Sequence, residues 1–600
     1  MDEKQKGWSK VRSIKLDHKR LLRRVRKVEV ASTKHAHRFV LGRINNIRLV
    51  SREITTWLVF VGVLIAGLGV QILWSQNSYM EMVPQAGGVY VEGVLGKIST
   101  LNPLFSSTDA EASVSRLLFS SLYNYDQTGM LHPDLATGMS IDTTQKIYTI
   151  TLRSDAKWQD GTPLTAQDVV FTINLIKNSA TRSPLRYNWL DIAASAVNDT
   201  TVKFTLPAVY AAFPQALTFP IVPEHILKNV APAAVRESAF SVNPIGSGPF
   251  SFSRLQQTDA DASGNYKVVH LVSNPKYYAG APKLSRFELR SYPDDTSLVR
   301  AVNNGEVSGA ADISVTHAKD IVAHQVTTTP MELDSGVYLL LNMQSEILKD
   351  TTVRQALQLA TDTSALRKSL GGGVQPLDGP LLEGQLTGAN VPQPPAADVT
   401  KANQMLEGDG WKLVKGYRSK DGQALQLTIT TTKDSEYQAV LSMIEAQWHK
   451  VGVKVKTNVI DTSSATSTFV QNTLQSRNYD VLLYELAIGA DPDVYAYWHS
   501  SQIGPSGFNF SNYSNKIVDA SLASARSRLE PDLRNAKYSL FVQQWLTDVP
   551  AIALYQAADE YVTVNGVEAV RPGSHLVTEA DRYSNILYWT VNSGDVYKTP

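Results

Sequence analysis

Residues 57–74 read WLVFVGVLIAGLGVQILW, eighteen positions without a charge and with Gln71 as the one strongly polar side chain. No other feature limits the possible folds of the chain so sharply. Extended back to Ile54 the run is twenty-one residues. As a helix it spans about 31 Å at about 1.5 Å per residue, which matches a hydrocarbon core of roughly 30 Å. A helix satisfies its own backbone hydrogen bonds, so lipid can surround it. Trp57 and Trp74 bracket the run, where indole rings favour the membrane interface. Three alternatives fit less well. A cleaved signal peptide has a short basic head, an apolar run of roughly 7–15 residues and a small-residue cleavage site. Here more than fifty residues precede the run, and no A-x-A follows it before Ala86. A lipoprotein needs a cysteine just after the run, and the chain has none. A buried core helix is rarely apolar over such a length. A single uncleaved transmembrane helix at 54–74 is therefore expected.

Charge sets its orientation. Residues 1–53 hold sixteen Lys or Arg against five acids, and beyond the helix no basic residue appears until Lys97. The positive-inside bias places a basic arm, 1–53, in the cytoplasm and everything after about residue 75 outside. The near-balanced totals of 57 basic and 56 acidic residues hide an outer part with 41 basic and 51 acidic. Within the arm, KRLLRRVRKVEV (19–30) sets Leu21, Leu22, Val25 and Val28 on one helical face. That suits contact with anionic inner-leaflet lipid, as does the plainer reading of a disordered topogenic arm. Nucleic acid is not an expected partner, because no fold or aromatic platform supports one. Gly62 and Ala66 form one small-xxx-small pair, weak evidence for helix pairing, and a monomer is expected. The absence of cysteine excludes disulfides, thiolate catalysis and cysteine metal sites. The outer part must be held by its core alone, and its more than 500 residues imply two or three domains.

Residues 75–87 read as a tether, and regular structure is expected from Gly88. SVSRLLFSSLYNYD (113–126) has helical spacing. KIYTITLR (146–153) alternates as a half-buried strand. WQDGTP (158–163) turns, and Thr165 with Asp168 forms a capping box for the helix that follows. NPIGSGPF (243–250) is a rigid Gly/Pro turn. GVYLLLNMQ (336–344) reads as a buried strand, and a helix follows Asp350 or Thr351. Six Gly and five Pro between 371 and 398 mark a surface loop. ALQLTITTT (424–432), a helix at 434–450 and VGVKVKTNVI (451–460) make a strand–helix–strand unit, which implies parallel pairing. Helices at about 515–528 and 531–547 precede short closing strands. The alternation gives an α/β fold without a repeat.

No nucleophile elbow, zinc-binding helix or phosphate loop occurs, and Gly371-Gly372-Gly373 lacks the Lys-Ser/Thr that would complete one. The eleven His are scattered. No enzyme activity, cofactor or metal is expected. The unusual constellation is ADPDVYAYWHSSQ (490–502). Asp491 and Asp493, followed by Tyr495, Trp498 and His499, suit recognition of a ligand amine or amide. Equally, the aromatics are core and the acids cap a helix. Asn102 and Asn342 offer further amides for a ligand backbone.

Several ordered motifs carry a resemblance. LHPDLATGMSIDTTQKIYTITLRSDAKWQDGTPLTAQDVVFTINLI (131–176), NPIGSGPF, NPKYYAGAPKL with NNGEVSGAADI, LLLNMQ with TTVRQALQLATD, and DVPAIALY (548–555) together resemble the peptide/nickel-type, family 5 extracellular solute-binding proteins. These include the dipeptide- and oligopeptide-binding components of ABC importers. The resemblance implies a two-lobed periplasmic-binding-protein-like clamp closing on an extended peptide. Lobe I would be 88–117, 198–334 and 556–600, with 118–197 an added subdomain, and lobe II would be 335–555. It also implies delivery to permease subunits served by separate ATPases. Sugars, opines and metal chelates are alternative ligands, and a surface sensor or scaffold is an alternative role. Peptide-binding relatives often hold the ligand amine with an Asp four residues before the position of Pro492; here that residue is Ile488.

Overall fold

The computed structural model describes residues 51–257, 267–371, 374–388, 391–462 and 468–597, with Lys27, Val30 and Lys34. The expected apolar face at Leu21, Leu22, Val25 and Val28, most of the basic arm, and Gly372 and Gly373 lie outside the described residues. The chain forms two compact units, Met1–Val83 with Asp595–Pro600, and Pro84–Gly594.

The first unit contains helix α1, Ser51–Tyr79. From Ser51 to Trp74 its mean hydropathy is 2.2, and none of that window is buried inside protein. A core helix of this composition would be packed on several sides, so the exposure removes that alternative and leaves a candidate membrane span. The helix runs five residues past Trp74 because no Gly or Pro interrupts it before Pro84. The tether expected at 75–87 is thus the end of a helix followed by a strand, Met80–Gln85.

The second unit is built around an eleven-stranded mixed sheet. In chain order its early elements are β1 (Val89–Leu95) and α2 (Asp109–Leu118), capped by Thr108. The helix read at 113–126 therefore starts earlier and stops at Leu118, because the cap sits at Thr108. A second, four-stranded sheet follows, made of β2 (Ala136–Ile141), β3 (Ile147–Leu152), β4 (Ala193–Asn198) and β5 (Thr201–Thr205). It has strand order β2-β3-β5-β4. Tyr148, Ile150 and Leu152 face inward as their alternation requires. Helix α3 (Ala166–Lys177) opens on the capping box of Thr165 and Asp168.

The chain then returns to the main sheet with β6 (Phe250–Gln257), β7 (Lys267–Ser273), β8 (Arg286–Tyr292), α4 (Asp295–Asn303) and β9 (Gly309–Ser314). Strand β10, Val326–Leu341, is sixteen residues long and begins ten residues before the stretch read as a strand. After α5 (Thr351–Ala360) come β11 (Gln426–Thr432), α6 (Ser435–His449), β12 (Lys454–Ile460) and β13 (Val481–Ala487). Strands β11 and β12 pair in parallel, as a strand–helix–strand unit demands. Helices α7 (Lys516–Arg526) and α8 (Pro531–Asp548) precede β14, Ala551–Val564. That fourteen-residue strand stands where short ones were expected. A two-residue strand β15, His575–Leu576, completes the sheet.

The sheet order is β12-β11-β13-β10-β14-β9-β1-β8-β7-β6, with β15 beside β10. The two long central strands, β10 and β14, are antiparallel partners and carry the chain between the halves of the sheet. Their register slips between Glu332 and Gly336 and again between Val337 and Tyr338. Extra residues of this kind bend a strand and raise its twist. The loop at 371–398 is not merely surface. Leu377, Leu381, Leu382 and Leu386 are buried against Tyr338 and Leu340, and the Tyr338 hydroxyl donates to the Gly379 carbonyl at 3.2 Å.

Candidate ligand site

The residues singled out from sequence occupy two kinds of place. Asn102 is fully buried and caps a short turn: its Oδ1 accepts from the Leu104 amide at 3.2 Å and its Nδ2 donates to Ser241 Oγ at 3.1 Å. Asn342 Nδ2 donates to the carbonyls of Tyr479 (2.9 Å) and Arg477 (3.2 Å). Its Oδ1 accepts from Asn512 Nδ2 (2.9 Å) and the Gln344 amide (3.1 Å). Both amides are engaged in holding loops. Trp498 is a core residue, 1% exposed, edge-on to Trp545.

Asp491, Asp493, Tyr495 and His499 do come together, but around arginines. Asp491 takes both terminal nitrogens of Arg534 from α8 at 2.6 and 3.0 Å. Asp493 takes Nε of Arg526 from the end of α7 at 2.9 Å. Tyr495 stacks on His499 with ring centroids 4.0 Å apart, and the Arg526 guanidinium lies 4.4 Å from the Tyr495 centroid. Burial pushes the His499 imidazole down, which favours its neutral form. These carboxylates are therefore neutralised within the protein. Ile488 is buried, and its amide and that of Gly489 donate to the Asp334 carbonyl at 2.8 and 2.9 Å.

A different set of acids converges from the two halves of the main sheet. On one half, Glu436 in the first turn of α6 accepts from the Tyr555 hydroxyl at 2.7 Å, and Glu485 on β13 lies 3.5 Å from the Tyr437 hydroxyl. On the other, Asp109 opens α2, and Asp312, Asp559 and Glu579 bring one carboxylate oxygen each within 4.8 Å of the others. Burial pushes Glu436 up to about 7, assisted by the charges of Asp434, Glu485 and Asp295. It also raises Glu485, with Asp109 contributing from across the sheet. Like charges in a poorly hydrated place resist joint ionisation.

The trio Asp312, Asp559 and Glu579 is the one set among the described residues spaced to share a cation. Burial raises all three, Asp312 to about 7, and Glu579 hydrogen-bonds to Asp559. The nearby Arg582 is committed elsewhere. It pairs with Glu92 at 3.3 Å, donates to Ser113 Oγ at 2.8 Å, and stands 4.0 Å from Asp312. Neither Glu436 nor Glu485 has a basic partner among the described residues. Sequence reading missed this set because its members are spread from residue 109 to residue 579. Asp109 and Glu436 also sit in first helical turns, where acids are ordinary.

Residues 130–506 match the family 5 bacterial extracellular solute-binding proteins. The oligopeptide-binding protein AppA of Bacillus subtilis is 29% identical over 497 residues, 79% of this chain and 87% of AppA. The solved structure of that AppA with a nonapeptide superposes with a TM-score of 0.70 at 25% identity, over 85% of this chain and 100% of the other. NikZ from Campylobacter jejuni, in complex with Ni(L-His), gives a TM-score of 0.71 at 26% identity, over 84% of this chain and 99% of NikZ. These likenesses give the chain the two-lobed fold of the periplasmic binding proteins. On the matched residues 130–506 and on that fold, the chain belongs to the family 5 bacterial extracellular solute-binding proteins.

Proposed function

We propose that this protein is the membrane-tethered substrate-binding subunit of an ABC importer, and that it captures peptides carrying positive charge between its lobes. The observation that carries the reading is the pair Glu436 and Glu485, half-buried on one lobe near Asp109 of the other and without a basic partner among the described residues. A ligand ammonium or guanidinium would satisfy them with charge-assisted hydrogen bonds. The two glutamates would also take over the role that Ile488 has no carboxylate to perform. The nonapeptide bound by Bacillus subtilis AppA supports a peptide as the ligand. Lobe boundaries near Asp334 and Gln556 agree with the register slips in β10 and β14, where a hinge would bend. Closure would be the population shift that ligand drives by binding the closed state better.

The exposed apolar helix α1 and the excess of basic residues before it support a single-pass anchor with a cytoplasmic N-terminus. The captured peptide would pass to permease subunits driven by separate ATPases, with the receptor acting as a monomer. Calorimetry of the full chain in nanodiscs tests this, using three nonapeptides of alanine with two lysines, none, or two glutamates. The lysine peptide is expected to bind at least about tenfold more tightly than the glutamate peptide. Equal affinities would remove the charge reading, and no binding to any of them would remove the peptide reading.

A further inference from the structure

The second sheet and the α7–α8 pair touch outside the main sheet, at a contact small enough to open and close. Tyr210 lies in the loop after β5, and its ring centroid is 4.8 Å from the Arg526 guanidinium. The Tyr495 ring centroid lies 4.4 Å from the same guanidinium, and Tyr495 is itself stacked on His499. The Ala211 amide donates to the Arg526 carbonyl at 2.9 Å. On its own lobe Arg526 is already satisfied: Asp493, with 8% of its side chain exposed, accepts from Nε at 2.9 Å. The other lobe contributes the Tyr210 ring, the Tyr210 hydroxyl, which hydrogen-bonds with Asp493 and Arg526, and one backbone amide.

Each side of the contact is stiff. Tyr148 of β3 donates to the Tyr210 carbonyl at 3.4 Å, and Phe213 is buried against Phe204 and Trp189. Arg526 is fixed by Asp493 and Tyr495. A stiff loop and a fixed guanidinium separate as rigid bodies, so the ring and the backbone bond are lost together.

We propose that Tyr210 and Arg526 form a latch that holds the two lobes closed, with Asp493 and Tyr495 as the positioning residues that keep the arginine plane facing the tyrosine. This rests on the reading that the lobes close on a ligand. It also gives the 490–502 cluster a role: acids and aromatics that resembled a ligand site hold the bolt of the clamp. A planar guanidinium in contact with two phenol rings is a use that lysine does not reproduce.

The chain has no cysteine, so two introduced cysteines can be labelled without background. Tyr187 and Leu533 are 77% and 47% exposed, on the second-sheet side and on α8. With both changed to cysteine and spin-labelled, pulsed dipolar spectroscopy on the full chain in nanodiscs reads the open and closed distances without any ligand. Tyr210→Ala is expected to raise the open-to-closed ratio about tenfold, or about 1.4 kcal/mol. Tyr210→Phe, which keeps the ring and loses the hydroxyl's bonds with Asp493 and Arg526, should open the lobes less than Tyr210→Ala does. Arg526→Lys, which keeps the charge beside Asp493, should open as Tyr210→Ala does. Unchanged distances in Tyr210→Ala would overturn the latch. So would a Tyr210→Phe variant more open than Tyr210→Ala, or an Arg526→Lys variant that stays shut. Because no peptide is present, failure of the peptide reading by calorimetry leaves this outcome independent.

Discussion

Glu436 offers the most quantitative test of the acid-lined site. In the folded chain burial and the neighbouring Asp434, Glu485 and Asp295 push it up to about 7 from an ordinary glutamate value of 4.5. A carboxyl raised in this way stabilises the fold fully below about pH 4.5, where it is protonated in both states. That contribution is lost as pH rises through about 7, because the unfolded chain releases the proton far more readily. A difference of about 2.5 units is worth about 3 kcal/mol at pH 8 and about 1 kcal/mol at pH 5. Glu436→Gln removes the charge and keeps an oxygen to accept from the Tyr555 hydroxyl, so it should forfeit at most about 1 kcal/mol of hydrogen bonding. The variant is therefore expected to be about 2 kcal/mol more stable than the unsubstituted chain at pH 8 and roughly equal to it at pH 5. Thermal melting followed by tryptophan fluorescence at both values, in nanodiscs, would show a gain of about 2–4 °C confined to the higher pH. The same variant should lose affinity for the lysine peptide at pH 8. A melting shift of equal size at both values would refute the account, since an uncharged cause would then be acting.

Two further substitutions probe the framework. Gly246→Ala would place a Cβ 1.9 Å from the Leu118 carbonyl oxygen, so the turn must leave the end of α2 at a cost of at least about 3 kcal/mol; Gly138→Ala, with nothing within 4 Å, should melt within a few degrees of the unsubstituted chain. Arg534→Ala would strand Asp491, whose side chain is 10% exposed, and should cost about 3–5 kcal/mol, with part recovered in the double variant that also carries Asp491→Ala; a double variant no more stable than the single one would show that the pair is not the cause.

Features governed by neighbouring residues were legible in the sequence. The capping box at Thr165 and Asp168 closes within four positions, and the alternation of Tyr148, Ile150 and Leu152 reports one strand face. The apolar run was equally clear, because lipid demands twenty uninterrupted residues. The long central strands were not. Residues 326–334 carry Thr, Pro, Glu and Asp, a pattern that looks like a loop. They become strand because β14 and β9 continue the sheet beneath them, an instance of context overriding propensity. The glycines of NPIGSGPF were read as turn formers; their stronger constraint is a long-range one, the backbone of α2 pressed against them.

The ligand site divides the same way, for a reason that bears on charge. Asp491 and Asp493 stand two residues apart among aromatics, so they catch the eye as a site, yet their neutralising partners Arg534 and Arg526 lie more than thirty residues downstream. Sequence shows the acids together and the arginines apart, and so overstates the free negative charge near 490. Around Glu436 and Glu485 the error is reversed. Each looks like an isolated surface acid, and only the fold brings them near each other and near Asp109, with no arginine or lysine among the described residues as a partner. A field assembled from scattered residues cannot be replaced by one carboxylate at position 488, which is a buried isoleucine whose amide is bonded to Asp334. Position 488 thus offers no acid, while Glu436 and Glu485 stand without a basic partner among the described residues, and that contrast is the ground on which a cationic ligand is proposed.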